Sequence, residues 1–144
     1  MKYRIYLDNC CFNRPYDDQT SLLVHLETEA KLFVQRAVLQ NTFELVWSYI
    51  LDYENEANPY QNRKMSITRW KDIAVLDVDA SESIVKQAKE IMRKGVKSKD
   101  ALHIACALEA KCHYFLTTDK KILHTSVDKI NIISPIDFIK TLEI

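Results

Sequence analysis

At 144 residues the chain has room for one domain with a sizeable core, and 47% hydrophobic against 28% charged residues is ordinary for a globular protein. Twenty Lys and Arg residues balance twenty Asp and Glu, which excludes a nucleic-acid binder driven by net charge alone but not a local basic face beside an acidic one. No run approaches membrane-spanning length and MKYRIYLDN lacks the apolar stretch of a signal peptide, so the expectation is a cytoplasmic protein with no membrane segment.

Tyr3–Leu7 is a compact β-prone run ending in Asp8-Asn9, and NCCFNRPYDDQ after it reads as a loop. Thr20 or Ser21 then caps a long helix whose apolar positions Leu22, Leu26, Ala30, Phe33, Val34, Ala37 and Val38 recur at helical spacing. That stripe suits either the core or a dimer or partner surface. Phe43–Ser48 is the second strand, and residues 49–58 look helical. Pro59 is placed at the first position of a further helix running to about Trp70. Ile73–Val78 is the third strand, and Ser81 caps a helix to Lys94, with Gly95, the only glycine, where a left-handed terminator is wanted.

The stretch from Lys97 to Leu123 organises the rest. Ser98 is a candidate cap for a helix with Asp100 in its first turn, and residues 101–110 are small or apolar on nearly all sides, the mark of a buried helix. Tyr114–Thr117 follows as a short inner strand with Asp119 just beyond it; Ile130–Ser134 and a helix from Pro135 to Leu142 close the chain. Strands alternating with helices predict an α/β fold with a mainly parallel five-stranded sheet covered on both faces. Two helices lie between the third and fourth strands, so this connection is expected to carry the chain past the middle of the sheet.

In a parallel sheet, strand C-termini and helix N-termini share one rim. Asp8, Asp100 and Asp119 all fall there, and Glu54, six residues after Ser48, is a fourth candidate with Asp52 and Glu56 as neighbours on its helix. Singly, each acid reads as a cap, a turn residue or a solvated side chain. Together they would repel unless a cation were bound. The four cysteines (10, 11, 106 and 112) fit neither a disulfide framework nor a zinc set, and the histidines (25, 103, 113 and 124) form no pair at ligand spacing, so they are read as satisfied or exposed. Carboxylates without soft ligands suit Mg²⁺ or Mn²⁺, and hence phosphodiester hydrolysis. A phospho-acceptor receiver would need paired acids after the first strand, and a haloacid-dehalogenase-like phosphatase would need Asp where Cys10 stands.

LDN near the start, S-x₅-E from Ser48 to Glu54, KDALHIACAL and FLTTDKKIL together resemble the PIN-domain nucleases, which include the VapC-type toxins of toxin–antitoxin pairs. The resemblance runs from Tyr3 to the last strand and implies a PIN-like three-layer α/β/α sandwich of strand order 3-2-1-4-5 in a single domain spanning residues 1–144. It implies an endoribonuclease cleaving single-stranded RNA with Mg²⁺ or Mn²⁺, and an antitoxin partner where the protein is a toxin. Carried over by position, Asp8, Glu54, Asp100 and Asp119 match the metal-binding and catalytic acids. Asn9, Ser48, Thr117 and Thr118 match supporting residues. Arg14, Lys97, Lys99 and Lys120 flank the rim as candidate phosphate contacts. Tyr16, Tyr49 and Tyr60 could stack on unpaired bases, with packing as the alternative. A catalytically inactive PIN-like module that binds RNA or protein is the other reading.

Overall fold

Five strands, β1 (Tyr3–Leu7), β2 (Phe43–Ser48), β3 (Leu76–Val78), β4 (Tyr114–Leu116) and β5 (Asn131–Ile133), form one sheet of order β3-β2-β1-β4-β5, every neighbouring pair parallel. The computed structural model describes residues 2–142. β1 is central, and its Ile5, Tyr6 and Leu7 are fully buried, as expected of a parallel strand with helices on both faces. Leu7 pairs with Leu116, so β1 and β4 end side by side and the next residues, Asp8 and Thr117, emerge together. That register builds the centre of the candidate site.

The connections follow the expected winding. α2 (Leu22–Leu39) leads from β1 to β2 and packs on α8 (Pro135–Leu142), whose Phe138 stacks edge-on against Phe43 and Tyr114. α3 (Tyr49–Glu56) and α4 (Gln61–Ile73) lead to β3 at one edge. α5 (Glu82–Met92) and α6 (Ser98–Glu109) then pack on each other and carry the chain past β2 and β1 to β4, the predicted crossing. Gly95 has φ +92 beyond the end of α5, the left-handed stop its position suggested. The interior of α6 is buried through Ala101 and residues 103–107, with Leu102 and Leu108 half-buried.

Four local expectations are corrected. Residues 9–13 are not loop but a short helix, α1 (Asn9–Asn13), followed by a 3-10 turn at Arg14–Tyr16. The Asp8 carboxylate caps α1 by accepting from the Asn9 N–H, and Cys11 and Phe12 are drawn into the core. Pro59 precedes the next helix rather than opening it: Asn58 Oδ1 accepts from the Tyr60 N–H in a turn, and α4 starts at Gln61. α4 also runs to Ile73, leaving β3 only three residues. Lys97 rather than Ser98 stands at the cap of α6, without a side-chain bond to the first turn.

The apolar stripe of α2 divides. Ala30, Val34, Ala37 and Val38 are buried, whereas Leu22, Leu26 and Phe33 are exposed, with Leu22 at 72%. The face turned inward near the helix start carries Glu27, Thr28 and Lys31 instead. Arg14 compensates Glu27, its Nε 3.1 Å from Glu27 Oε1, and the Lys31 ammonium lies over the Phe12 ring.

Candidate active site

Asp8 leaves the end of β1 with 6% of its surface exposed. Its Oδ2 accepts from the Thr117 hydroxyl at 2.8 Å and the Cys10 thiol at 3.4 Å, and its Oδ1 from the Asn9 N–H at 2.8 Å. Burial outweighs these bonds and pushes the Asp8 carboxyl up to about 8. Such an acid is mostly protonated at neutral pH in the metal-free protein, and a cation beside it favours the ionised form.

Glu54 comes from the last turn of α3, whose N-terminus is capped by Ser48 Oγ. The Ser48 hydroxyl reaches the Tyr6 hydroxyl at 2.6 Å, Tyr6 reaches His103 Nδ1 at 2.5 Å, and His103 Nε2 touches Glu54 Oε1. The partners dictate a direction. A carboxylate only accepts, so Nε2 carries the proton, Nδ1 accepts from Tyr6, and Ser48 donates to Tyr6 while accepting from the Leu51 N–H. Burial raises Glu54, but the lowering influences, led by the hydrogen bond from His103, outweigh it, and the carboxyl is held below its usual range. Every member of this chain except Glu54 is fully buried, so the acid is fixed from behind.

Asp100 lies in the first turn of α6 and Asp119 caps α7 (Lys120–Leu123), accepting from the Lys121 N–H at 2.9 Å. Burial, and then the charge of Asp119, raise the Asp100 carboxyl. The Thr117 hydroxyl accepts from the Asp119 N–H at 3.1 Å while donating to Asp8, tying two acids to one strand end. Thr118 donates its N–H to Cys10 Sγ. All four predicted acids line one cleft of about 370 Å³, together with Asn9, Cys10, Asn13 and Asp17.

Asp52 and Glu56 are not part of that cleft. Asp52 accepts from Trp47 Nε1 and pairs with Lys71, and Glu56 pairs with Lys64. The candidate cations also disperse. Arg14 is held by Asp17 and Glu27, Lys99 lies over the Tyr53 ring beside Glu54, and Lys97 and Lys120 line the cleft beyond Asp100 and Asp119.

His103 was read from sequence as an ordinary imidazole, yet it stands at the heart of the site, its Nε2 3.9 Å from Asp8 Oδ1. The available signal was its place three residues after Asp100, one turn along the same helix face. Among the described residues, Asp8, Glu54 and His103 bring potential ligand atoms within 4.8 Å of one another, and with the His103 Nε2 N–H donating to Glu54 the carboxylates are the donors left for an ion. The two carboxylates are the hard oxygen donors that Mg²⁺ or Mn²⁺ prefer, and the elevated Asp8 fits a cation-dependent site.

The family model for the PIN domain matches residues 5–128. The chain belongs to the PIN domain family. No curated protein sequence matches it. Among solved structures, this PIN domain is similar to a chain in the crystal structure of VapBC2 from Rickettsia felis bound to a DNA fragment from their promoter. The TM-score is 0.56 at 12% identity over 90% of this chain and 96% of that one, a likeness of fold. The expected sheet order and three-layer α/β/α architecture are those of the family.

Proposed function

We propose that this PIN domain is a divalent-metal-dependent endoribonuclease cleaving phosphodiester bonds in single-stranded RNA. The observation carrying this is the convergence of Asp8, Glu54, Asp100 and Asp119, from four distant points of the chain, on one cleft whose deepest acid is pushed up to about 8 by burial. Asp8 and Glu54 would hold the ion, with Asp100 and Asp119 on its open side. Mg²⁺ or Mn²⁺ there supplies positive charge against the phosphate and makes a nucleophilic water available near neutral pH. Asn9 and Thr117 orient Asp8, Ser48 supports Glu54 through Tyr6 and His103, and Thr118 anchors the loop at Cys10. Lys97, Lys99 and Lys120 would meet backbone phosphates, while Arg14 borders the cleft already engaged by two acids.

The role we infer is that of the toxin of a toxin–antitoxin pair, in keeping with the VapBC2 fold likeness. The exposed Leu22, Leu26 and Phe33 side of α2 would serve an antitoxin or a second copy of the chain. Among the described residues, no helix is long and apolar enough to cross a membrane. A cytoplasmic location accords with RNA as substrate, and four free cysteines accord with a reducing compartment.

Purified protein incubated with single-stranded RNA, duplex RNA and single-stranded DNA in EDTA, Mg²⁺ or Mn²⁺ tests this. Cleavage of single-stranded RNA only with a divalent ion is expected, and Asp119→Asn should reduce it at least about 100-fold, since an ion-binding acid contributes several kcal/mol to stabilising the transition state. The alternative, an inactive PIN-like module, is favoured by one observation: His103 already occupies a Glu54 oxygen. RNA binding without cleavage under every metal condition would select it.

A further inference from the structure

Asp100 and Asp119 are also wall residues of a second, larger cleft of about 570 Å³, whose lining includes Lys97, Lys120 and Lys121. Among the described residues these three lysines form no ion pair with any carboxylate, although two acids share their cleft. Lys94, on the same rim, is different: its ammonium is tied to the Ser126 carbonyl. Like charges gathered without partners favour an anionic ligand. The first turn of α6, which carries Asp100 and opens beside Lys97, has no side-chain cap, so its amide groups add to that preference.

On the other side, Asn13 and Asp17 line the acid cleft, and Tyr16 precedes Asp17. The Arg63 guanidinium lies 4.9 Å from the Tyr16 ring centre and 3.9 Å from that of Tyr60. Both rings are exposed, Tyr60 at 55%, and Asn58 Nδ2 reaches Asn13 Oδ1, joining the start of α4 to this lip. Arg63 has no carboxylate partner among the described residues, so a flat cationic group and the two exposed rings it lies over stand together next to the residues that line the cleft. Tyr49, by contrast, packs against the core.

We propose that the acid cleft sits between two RNA subsites: a stacking lip of Tyr16, Arg63 and Tyr60 that takes an unpaired base, and a lysine pocket of Lys97, Lys120 and Lys121 that takes a neighbouring backbone phosphate. This rests on the ribonuclease reading and adds to it how the strand lies. Stacking requires a base whose face is free, so the lip selects single strands over duplex while tolerating any base. The pocket contributes affinity through phosphate charge without sequence preference.

The two subsites have separable signatures in RNA binding, measured by fluorescence anisotropy of a labelled single-stranded oligonucleotide in EDTA from 50 to 300 mM salt. Lys97→Ala with Lys121→Ala should lower the slope of log affinity against log salt by about 1.4, two phosphate contacts at about 0.7 each. Tyr60→Ala should weaken binding roughly tenfold with the slope unchanged, and Tyr60→Phe should restore it. Lys86→Ala with Lys89→Ala, in a separate surface cleft, should leave the slope as it was. Wild-type protein that does not bind, an unchanged slope in the Lys97/Lys121 variant, an equal fall in the Lys86/Lys89 variant, or undiminished binding by Tyr60→Ala would each overturn the proposal. Wild-type cleavage is scored in parallel with Mn²⁺. Cleavage with these variants silent sinks the subsites alone, whereas binding with the expected signatures but no cleavage sinks the nuclease reading and leaves the subsites standing.

Discussion

Replacing Asp8 with Asn should make the metal-free protein more stable at alkaline pH. Holding a carboxyl at about 8 rather than 3.8 costs its ionised form about 6 kcal/mol, at about 1.36 kcal/mol per pH unit. Between those two values the native state keeps a proton that the unfolded chain has lost, so wild-type stability falls as pH rises through that window and levels off above about 8. Asn keeps the shape and removes the charge. It also removes one acceptor from the bonds made by the Asn9 N–H and the Thr117 hydroxyl, at a cost of about 1–2 kcal/mol. The variant should therefore be about 1–2 kcal/mol less stable than wild type at about pH 3, near parity at about pH 5 and about 4 kcal/mol more stable at about pH 9. Urea unfolding in EDTA across pH 3 to 9 measures this in a Cys10→Ser background, because the Cys10 charge also raises Asp8, and titrating groups remote from the cleft cancel in the difference. Adding Mn²⁺ should narrow the alkaline gap, because wild type alone gains about 2.7 kcal/mol at a hundredfold excess over its dissociation constant. A deficit above about 2 kcal/mol at every pH would show that Asp8 acts chiefly as the cap of α1, and the argument from a strained carboxylate would fail.

Two further outcomes follow from the same geometry. His103→Phe keeps the ring volume but cuts the Ser48–Tyr6–His103–Glu54 chain, so Mn²⁺ affinity, measured by titration calorimetry, should fall about 10–100-fold; unchanged affinity would mean Glu54 needs no support. Arg14→Ala strands Glu27, whose side chain is only 6% exposed, and should cost about 2 kcal/mol in urea unfolding, below the 3–5 of a fully buried pair because Arg14 is partly solvated. An RNA-affinity loss without a stability loss would instead make Arg14 a phosphate contact.

Where the sequence read correctly, local and global demands agreed. β1 and β4 are short apolar runs because both faces are covered, and each ends at an acid or a threonine because the strands stop at the same rim. Asp8, Glu54, Asp100 and Asp119 could be singled out by that topology together with the family motifs, and the same topology brings them to one cleft. His103 escaped because its place one turn after Asp100 is a weak signal alone; its role depends on Tyr6 and Ser48, from two strands that only the tertiary fold brings beneath α6. The helical start of residues 9–13 was hidden by turn-forming residues, since what makes it a helix is the Asp8 cap and the burial of Cys11 and Phe12. On α2 the periodicity was real but its phase was not readable: exposed leucines on one side and a buried Glu27 and Lys31 on the other reverse the usual amphipathic expectation.

The zero net charge is the most misleading number in the composition, because it averages over a steep local separation. Asp100 and Asp119 are shared walls, with an acid-rich cleft on one side and on the other three lysines that form no ion pair among the described residues. Complementary side chains so close would collapse into ion pairs if stability alone were at stake, at a gain of up to about 1 kcal/mol each on the surface. Keeping them apart leaves a cation-seeking cleft adjoining an anion-seeking one. A divalent ion bound against a phosphodiester chain satisfies both clefts at once, and neither a free cation nor a free anion does so alone.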